Sequence, residues 1–510
     1  MTTAALTIPY YCKSVDWDAL IADYPPPPHF AAWSARCSDD ELRALQDRRF
    51  MARVADAWAV PFYRQRWTAA GLEPGDVRSI DDSERIPTFN SDDLKAAIAE
   101  HPPFGSHHPF GPEGFGRQPL KIQTSGGTTG LPRVTLFDAV AMEVQGIQTA
   151  RALYAQGTRP GDVVQITYTN SLANSAWCAL SGIQNWLGAV PMTTGAGQVT
   201  PSERQLEYAA AWGTTAWFSR GEYLARLAQV AQETGLDLRT LRTRQIHSFL
   251  GPDTEGHLRA RLEAAWGVPI FDNYGTHEIG LVAFECRAKD RMHVNEDTVF
   301  VEFADEHDGT PVAHGTRGNL VATSLHRSVP PIVRFNMRDL MIGYDRAPCA
   351  CGLCTMKLST FLGRSDEMVK LRGTNVYPLA CQPAITRDDH TTGEYLCVAR
   401  MVGEGLDRRE DLVVRAERRS VDVDAAALRA DLAAALHKDL GVRVGVEIVD
   451  PGSLAPLTGL GSANKVKRLL DLRRGPARER GDVVDGRSTS LKRWQAAAVE
   501  ETTSRGAVDG

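Results

Sequence analysis

DVVQITYT (162–169), AVPMT (189–193), TTAWFS (214–219), RQIHSFL (244–250) and VPIFDNY (268–274) are short apolar runs rich in strand-forming residues. Between them lie a helical stretch reaching Gly188, ERQLEYAAAW (203–212), EYLARLAQVAQ (222–232) and HLRARLEAAW (257–266), whose apolar residues recur at helical spacing. Strands alternating with helices build parallel βαβ units, so the sequence predicts an α/β fold with a doubly wound sheet. Ligands of such sheets lie beyond the carboxyl ends of the strands, which places the stretch ending at Tyr274 on a candidate binding rim.

Outward from this block the texture changes. The first hundred residues are helix-prone, with Ser38 as N-cap of SDDELRALQDRRFMARVADAW (38–58). The Gly/Pro/His-rich segment 101–116 reads as a loop, in which His107 and His108 are candidate ligands but are expected as surface histidines, the commoner case. After residue 300, VFVEFADEHDGTPVAHGTRGNLVATSL (299–325) predicts a β subdomain. Beyond GRSDEM (363–368) come EYLCVARMV (394–402), DLVVRAERR (411–419), a helix with Leu428, Leu432, Leu436 and Leu440 on one face, and VRVGVEIVD (442–450). That order predicts a small α+β domain. The expected division is 1–364, a large N-terminal domain with doubly wound mixed sheets and the β subdomain, then 365–475, a small mobile C-terminal domain, and 476–510, a mobile polar tail.

The chain has 510 residues, 43% hydrophobic and 24% charged, with a net charge of -6. These are proportions of a folded globular protein, and the charge argues against nucleic acid as a partner. Neither a secretory signal pattern nor an apolar run of membrane-spanning length is evident, so a cytoplasmic protein is expected.

Five stretches carry chemistry. QTSGGTTGLPR (123–133) lacks the Gly-Lys-Ser/Thr of a Walker loop, yet its backbone N–H groups and the hydroxyls of Ser125, Thr128 and Thr129 can wrap phosphate oxygens. DNYGTHEIG (272–280) combines an aromatic ring, a glycine turn and a carboxylate, suited to a flat base and a divalent cation. RFNMRDL (334–340) offers Asp339 either for a ribose diol or for an Arg–Asp ion pair; GRSDEMVKLRGTNVYP (363–378) and NKVKRLLD (464–471) complete the series.

In this order the five resemble the adenylate-forming superfamily of acyl-CoA synthetases, adenylation domains and luciferases, and most closely its phenylacetate-CoA ligase branch, from about residue 40 to 475. The resemblance implies ATP, Mg2+ and coenzyme A. It implies an ATP site of Ser125, Gly126, Gly127, Thr128, Thr129, Gly130, Gly251, Asp272, Asn273, Tyr274, Gly275, Thr276, Asp339 and Arg364. Within it, Tyr274 stacks on adenine and Asp339 holds the ribose. Glu278 and Thr128 serve Mg2+, and Lys465, with Lys467 as the alternative, contacts the substrate carboxylate and α-phosphate. Asp366 becomes the hinge, and Arg372 and Gly373 approach coenzyme A. By the same analogy Tyr168, Asn170, Trp177, Trp217, Phe249 and His277 line the acyl pocket, and the asparagines there suit a polar acid.

The implied activity is ATP-dependent conversion of a carboxylic acid, aromatic or a related small acid, to an acyl-adenylate and then an acyl-CoA. Transfer to a carrier-protein thiol or an amine is the alternative, and a non-catalytic nucleotide sensor a further one. A small acid and coenzyme A or a carrier protein are the expected partners, with a homodimer open. Cys286, His293, Cys349 and Cys351 can form a tetrahedral Cys3His zinc site, with Cys354 as a substitute ligand; free buried thiols are the other reading.

Overall fold

The computed structural model describes residues 8–125, 133–367, 369–371, 374–402, 409–460 and 466–473. Its centre is an 11-stranded sheet. The parallel part consists of β3 (Val163–Ile166), β4 (Val190–Thr193), β5 (Ala216–Arg220), β6 (Gln245–Phe249) and β7 (Ile270–Thr276), ordered β4-β3-β5-β6-β7. Strand order reverses at β3, and the helices between strands cover both faces. Helix Ala139–Gln156 is buried on nearly every side, packed between β3 and β5 and the antiparallel β8 (Gly280–Glu285). Helices Ser202–Trp212, Gly221–Thr234 and His257–Trp266 pack on the opposite face around Trp217, Ile246 and Trp266.

The expected β subdomain is joined to this sheet. β7 turns tightly into β8, which pairs with β9 (Met292–Val294); the order then runs through β13 (Cys354–Leu358), β12 (Phe335–Pro348), β11 (Arg317–Ser324) and β10 (Val299–Ala304). Its core is the aromatic and aliphatic layer of Phe50, Trp67, Phe89, Val294 and Phe335, supplied partly by the N-terminal helices. Ser38 caps helix Asp39–Trp58 in a full capping box with Glu41. A separate two-stranded hairpin, β1 (Leu120–Ser125) with β2 (Arg133–Asp138), stands beside the rim and flanks residues 126–132.

The C-terminal part has its own sheet of β18 (Gly445–Val449), β17 (Arg409–Arg418), β16 (Thr391–Val402) and β19 (Leu469–Asp471), in that order. Helix Ala425–Leu440 buries Leu428, Leu432 and Leu436 against it, as the heptad-like spacing requires. A short hairpin, β14 (Val369–Leu371) with β15 (Thr374–Val376), connects the two parts. Arg261 reaches the carbonyl of Thr386 at 2.7 Å and Arg387 pairs with Glu255 at 2.7 Å, docking this part on helix His257–Trp266 and its approach. No described helix is long and apolar enough to cross a membrane.

The expectation of surface histidines in 101–116 is overturned. His107 and His108 are 2% and 4% exposed. The His108 ring bridges the Phe104 carbonyl, 2.7 Å from Nδ1, and the Leu136 N–H, 3.1 Å from Nε2, so the Nδ1–H tautomer latches this loop under β2. Glycine and proline made the segment irregular without making it exposed.

Burial holds five histidines neutral: His108 is pushed down to about 4, His247, His277 and His326 to about 3, and His107 well below its ordinary value. In the unfolded chain each would take up a proton near pH 6.5. Their contribution to stability is therefore full above about 6.5 and is lost as pH falls toward their folded values. Burial raises Asp272 to about 8 and Glu296 to about 7, and Asp138, Glu302 and Glu394 above their ordinary values, and these five work in the opposite sense. The five histidines lie far below their unfolded values across this whole interval, whereas of the five carboxylates only Asp272 and Glu296 are raised as far as about 7–8, so the melting temperature is expected to fall by about 2–5 °C between pH 6.5 and pH 5. A flat or rising melting curve over that interval would contradict it.

Candidate active site

The DNYGTHEIG stretch is the end of β7 and its turn into β8. Gly275 is required there: a Cβ would come within 2.6 Å of the Gly280 carbonyl oxygen. The turn presents Thr276, His277 and Glu278 on the side where the hairpin β1–β2 stands. Glu278 is 5% exposed and forms an ion pair with Arg133, the first residue of β2. Two charges removed from water together must be paired, and the Arg133 guanidinium satisfies that requirement. His277 meets Phe137 of β2 edge-on at 5.5 Å. The Thr276 hydroxyl and His277 Nε2 are buried without a hydrogen-bond partner among the described residues.

Arg327, in the sequence only a lone arginine before Pro330, fixes this turn. It is fully buried, donates to the Glu278 carbonyl at 2.5 Å and to the Leu136 carbonyl at 3.0 Å, and stacks 4.0 Å from the Phe137 ring. It thus ties the Glu278 turn to the hairpin.

At the other end of this surface, the Tyr274 hydroxyl donates to Asp339 Oδ2 at 2.6 Å, and its ring lies nearly parallel to Phe361. Arg364 donates to Asp339 Oδ1 at 2.6 Å and grips both oxygens of Asp366 at 2.9 Å. The Arg–Asp pair considered for Asp339 therefore exists, with Arg364 as partner; Arg334 turns to Glu302 and Arg338 to Asp92. Burial and the Asp339 carboxylate push the Tyr274 hydroxyl well above the ordinary tyrosine range, so it stays a donor.

Asp272 and Asn273 brace strand ends. The Asp272 carboxyl accepts from the Leu250 N–H at 2.9 Å, next to Gly251 in the left-handed region at φ 74. Burial, and then the facing Glu285 carboxylate, push Asp272 up to about 8. The Asn273 amide is engaged by the Ser248 carbonyl and Gln156.

Of the acyl-pocket residues, Tyr168 and Phe249 are brought together with Phe218, ring centroids 5.5–6.2 Å apart, at the carboxyl ends of β3, β5 and β6. Asn170 follows, its Nδ2 buried and without a hydrogen-bond partner among the described residues. Trp177 lies across from β1, its ring 3.5 Å from Lys121 Nζ. Trp217 does not join them and must be taken out of the pocket. Side chains alternate across a strand, and Trp217, neighbour of Phe218, points to the other face, against Trp266 and Thr243.

Gly126, Gly127, Thr128, Thr129, Gly130, Arg372, Gly373 and Lys465 lie outside the described residues. Ser125 ends β1 directly opposite Arg133. Three residues after Lys465, Arg468 is buried, pairs with Glu394 at 3.0 Å and donates to the Tyr395 carbonyl at 2.8 Å. The exposed Lys467 is held by its backbone N–H to Thr458.

Away from this rim, Cys286 after β8, His293 in β9 and Cys349 and Cys351 in the β12–β13 turn converge, their ligand atoms all within 4.8 Å of one another. Cys286 and Cys349 sulfurs are 3.8 Å apart, and Cys351 Sγ is 3.4 Å from His293 Nε2. His293 Nδ1 is engaged by the Thr355 hydroxyl at 2.7 Å, which turns Nε2 toward the sulfurs. Cys354 is intermediate in exposure and is not among the four.

Comparison with known proteins places this geometry. Residues 373–473 match the family model of the AMP-binding enzyme C-terminal domain. The phenylacetate-coenzyme A ligase of Thermus thermophilus is 29% identical over 460 residues, covering 85% of this chain and 97% of the relative. That of Aromatoleum evansii is 27% identical over 445 residues, covering 86% and 96%. Over most of its length the chain is similar to phenylacetate-coenzyme A ligases. Among solved structures, 2-hydroxyisobutyryl-CoA ligase with its adenylate and CoA in the thioesterification state is 26% identical, with a TM-score of 0.63 over 93% of this chain and 97% of that one. The same ligase in the postadenylation state superimposes with a TM-score of 0.76 at 24% identity over the same shares, a likeness of fold. The hairpin, the Glu278 turn and the Tyr274–Asp339–Arg364 cluster form one continuous candidate surface.

Proposed function

We propose that the protein activates a carboxylic acid with ATP to an acyl-adenylate and transfers the acyl group to coenzyme A, releasing pyrophosphate, AMP and an acyl-CoA. The observation that carries this reading is the Tyr274–Asp339–Arg364–Asp366 chain of hydrogen bonds, which joins the expected nucleotide position to the link between the two sheets. Phenylacetate-coenzyme A ligases among the relatives support coenzyme A as acceptor.

The substrate carboxylate is already ionised at neutral pH, so adenylation needs placement and charge stabilisation more than a base. Glu278 fits a divalent cation: it is a buried carboxylate whose counter-charge is a side chain from the phosphate stretch, beside an unpartnered Thr276 hydroxyl. Mg2+ there would neutralise charge developing on the phosphates. Arg133, released from Glu278, would face the phosphate oxygens, and Lys465 would supply positive charge at the α-phosphate.

The test is to screen acids for carboxylate-dependent pyrophosphate release, then add coenzyme A and weigh the product. Pyrophosphate release from no acid would overturn the reading. A thioester formed only with a carrier protein would replace its acceptor.

The Cys286, His293, Cys349 and Cys351 cluster fits a structural zinc. Zinc–sulfur bonds of about 2.3 Å at tetrahedral angles set sulfurs roughly 3.8 Å apart, the separation of Cys286 and Cys349. Four protein ligands leave no open position, so the ion would clamp the β12–β13 turn to β8 and β9. Near-stoichiometric zinc is expected in the purified protein by elemental analysis; its absence would leave three free thiols beside His293.

A further inference from the structure

The hairpin β1–β2 turns one face inward. Lys121, Gln123 and Ser125 share it with their direct partners Phe137, Thr135 and Arg133, while Ile122 on the other face is 43% exposed. Phe137 and Arg133 on the inward face meet His277 and Glu278, so the face covers the candidate active site. Gln123 is fully buried, yet neither its amide oxygen nor its nitrogen has a hydrogen-bond partner among the described residues. Lys121 rests on the Trp177 ring, and no carboxylate among the described residues pairs with it. Burial lowers this lysine to about 8, the direction expected of a desolvated ammonium without a counter-charge.

The facing wall has the same property. Gln145, fully buried, accepts from Asn174 at 2.5 Å and lies near Cys178, while its own Nε2 has no hydrogen-bond partner among the described residues. Its side chain abuts Gly280 at the end of the Glu278 turn, where an added Cβ would come within 2.8 Å of Gln145 Cγ. Asn170 Nδ2 and His277 Nε2 add two further unpartnered groups. Buried polar groups in folded proteins almost always have partners, and one left bare costs about 1–3 kcal/mol. Donors predominate here: Lys121, Gln123, Gln145 and Asn170 all present N–H groups.

We propose that the acid activated at this site carries a hydrogen-bond-accepting oxygen, a hydroxyl or oxo group, beyond its reacting carboxylate, and that Lys121 and Gln123 recognise that oxygen. This rests on the ligase reading above. An acid with a bare hydrocarbon body would leave the Lys121–Gln123 wall unsatisfied. A site built to hydrogen-bond a substrate group discriminates strongly against the analogue lacking it.

The experiment compares matched acids by pyrophosphate release with the full chain: phenylacetate with its ring-hydroxylated forms, isobutyrate with 2-hydroxyisobutyrate, and butyrate with 3-oxobutyrate. The oxygen-bearing member of at least one pair is expected to have a kcat/KM at least about 100-fold higher. Lys121→Met and Gln123→Leu, checked for an unchanged melting temperature, are expected to cut that ratio about tenfold or more each, mainly through KM. Turnover of bare and oxygenated acids with ratios near one in every pair, or a ratio that survives both substitutions, would overturn the inference and leave the ligase reading standing. Pyrophosphate release from no acid at all would overturn both.

Discussion

Asp339→Ala is expected to raise the KM for ATP by roughly 10²–10³-fold while changing the KM for the acid far less. The carboxylate has one oxygen toward the Tyr274 hydroxyl and the other toward Arg364, both at 2.6 Å. That geometry presents a carboxylate held rigidly by two donors, the preorganisation a ribose diol needs. Removing it loses charge-assisted hydrogen bonds to the nucleotide and also takes one carboxylate partner from Arg364. Asp339→Asn should fall between the two, since it keeps the shape and loses the charge. Equal rises in both KM values would indicate a collapsed site, and an unchanged KM for ATP would take Asp339 out of nucleotide binding.

Lys465→Ala is expected to slow acid-dependent pyrophosphate release by about 10²–10³-fold, the usual cost of removing one preorganised charge stabiliser. Thioester formation from supplied acyl-adenylate should persist, because that half-reaction attacks the acyl carbon and not the α-phosphorus. Lys467→Ala is the paired control: it follows Lys465 by two residues, and its backbone is fixed to Thr458. Loss of pyrophosphate release in the Lys467 variant with a normal rate in the Lys465 variant would exchange their roles. A normal rate in both would remove this segment from the first step.

The parts legible in the sequence were those that repeat with a period. The β3–β7 strands and their helices followed from alternation because both faces of a parallel sheet must be apolar and the intervening helices must be amphipathic. Leu428, Leu432 and Leu436 were legible for the same reason. Trp217 was misassigned to the pocket because TTAWFS is apolar on both faces, so the pattern could not say which neighbour faced the rim; the structure turns Phe218 there and Trp217 away. His107 and His108 were misplaced at the surface because the burial of a Gly/Pro-rich loop depends on what folds over it, here the hairpin. Arg327 could not be found at all: its three carbonyl partners, at Glu278, Leu136 and Val329, come together only in three dimensions. The cysteines differed, since thiols two residues apart beside a strand turn announce a cluster before its distant members are located.

The ion pair between Arg133 and Glu278 has a consequence for the order of events. A carboxylate already balanced by a guanidinium offers little to a stray divalent ion. A triphosphate, more highly charged than one carboxylate, can draw Arg133 away. Only then is Glu278 left with an uncompensated charge that a cation must answer. Nucleotide and metal would therefore be admitted together, each removing the reason the other was kept out.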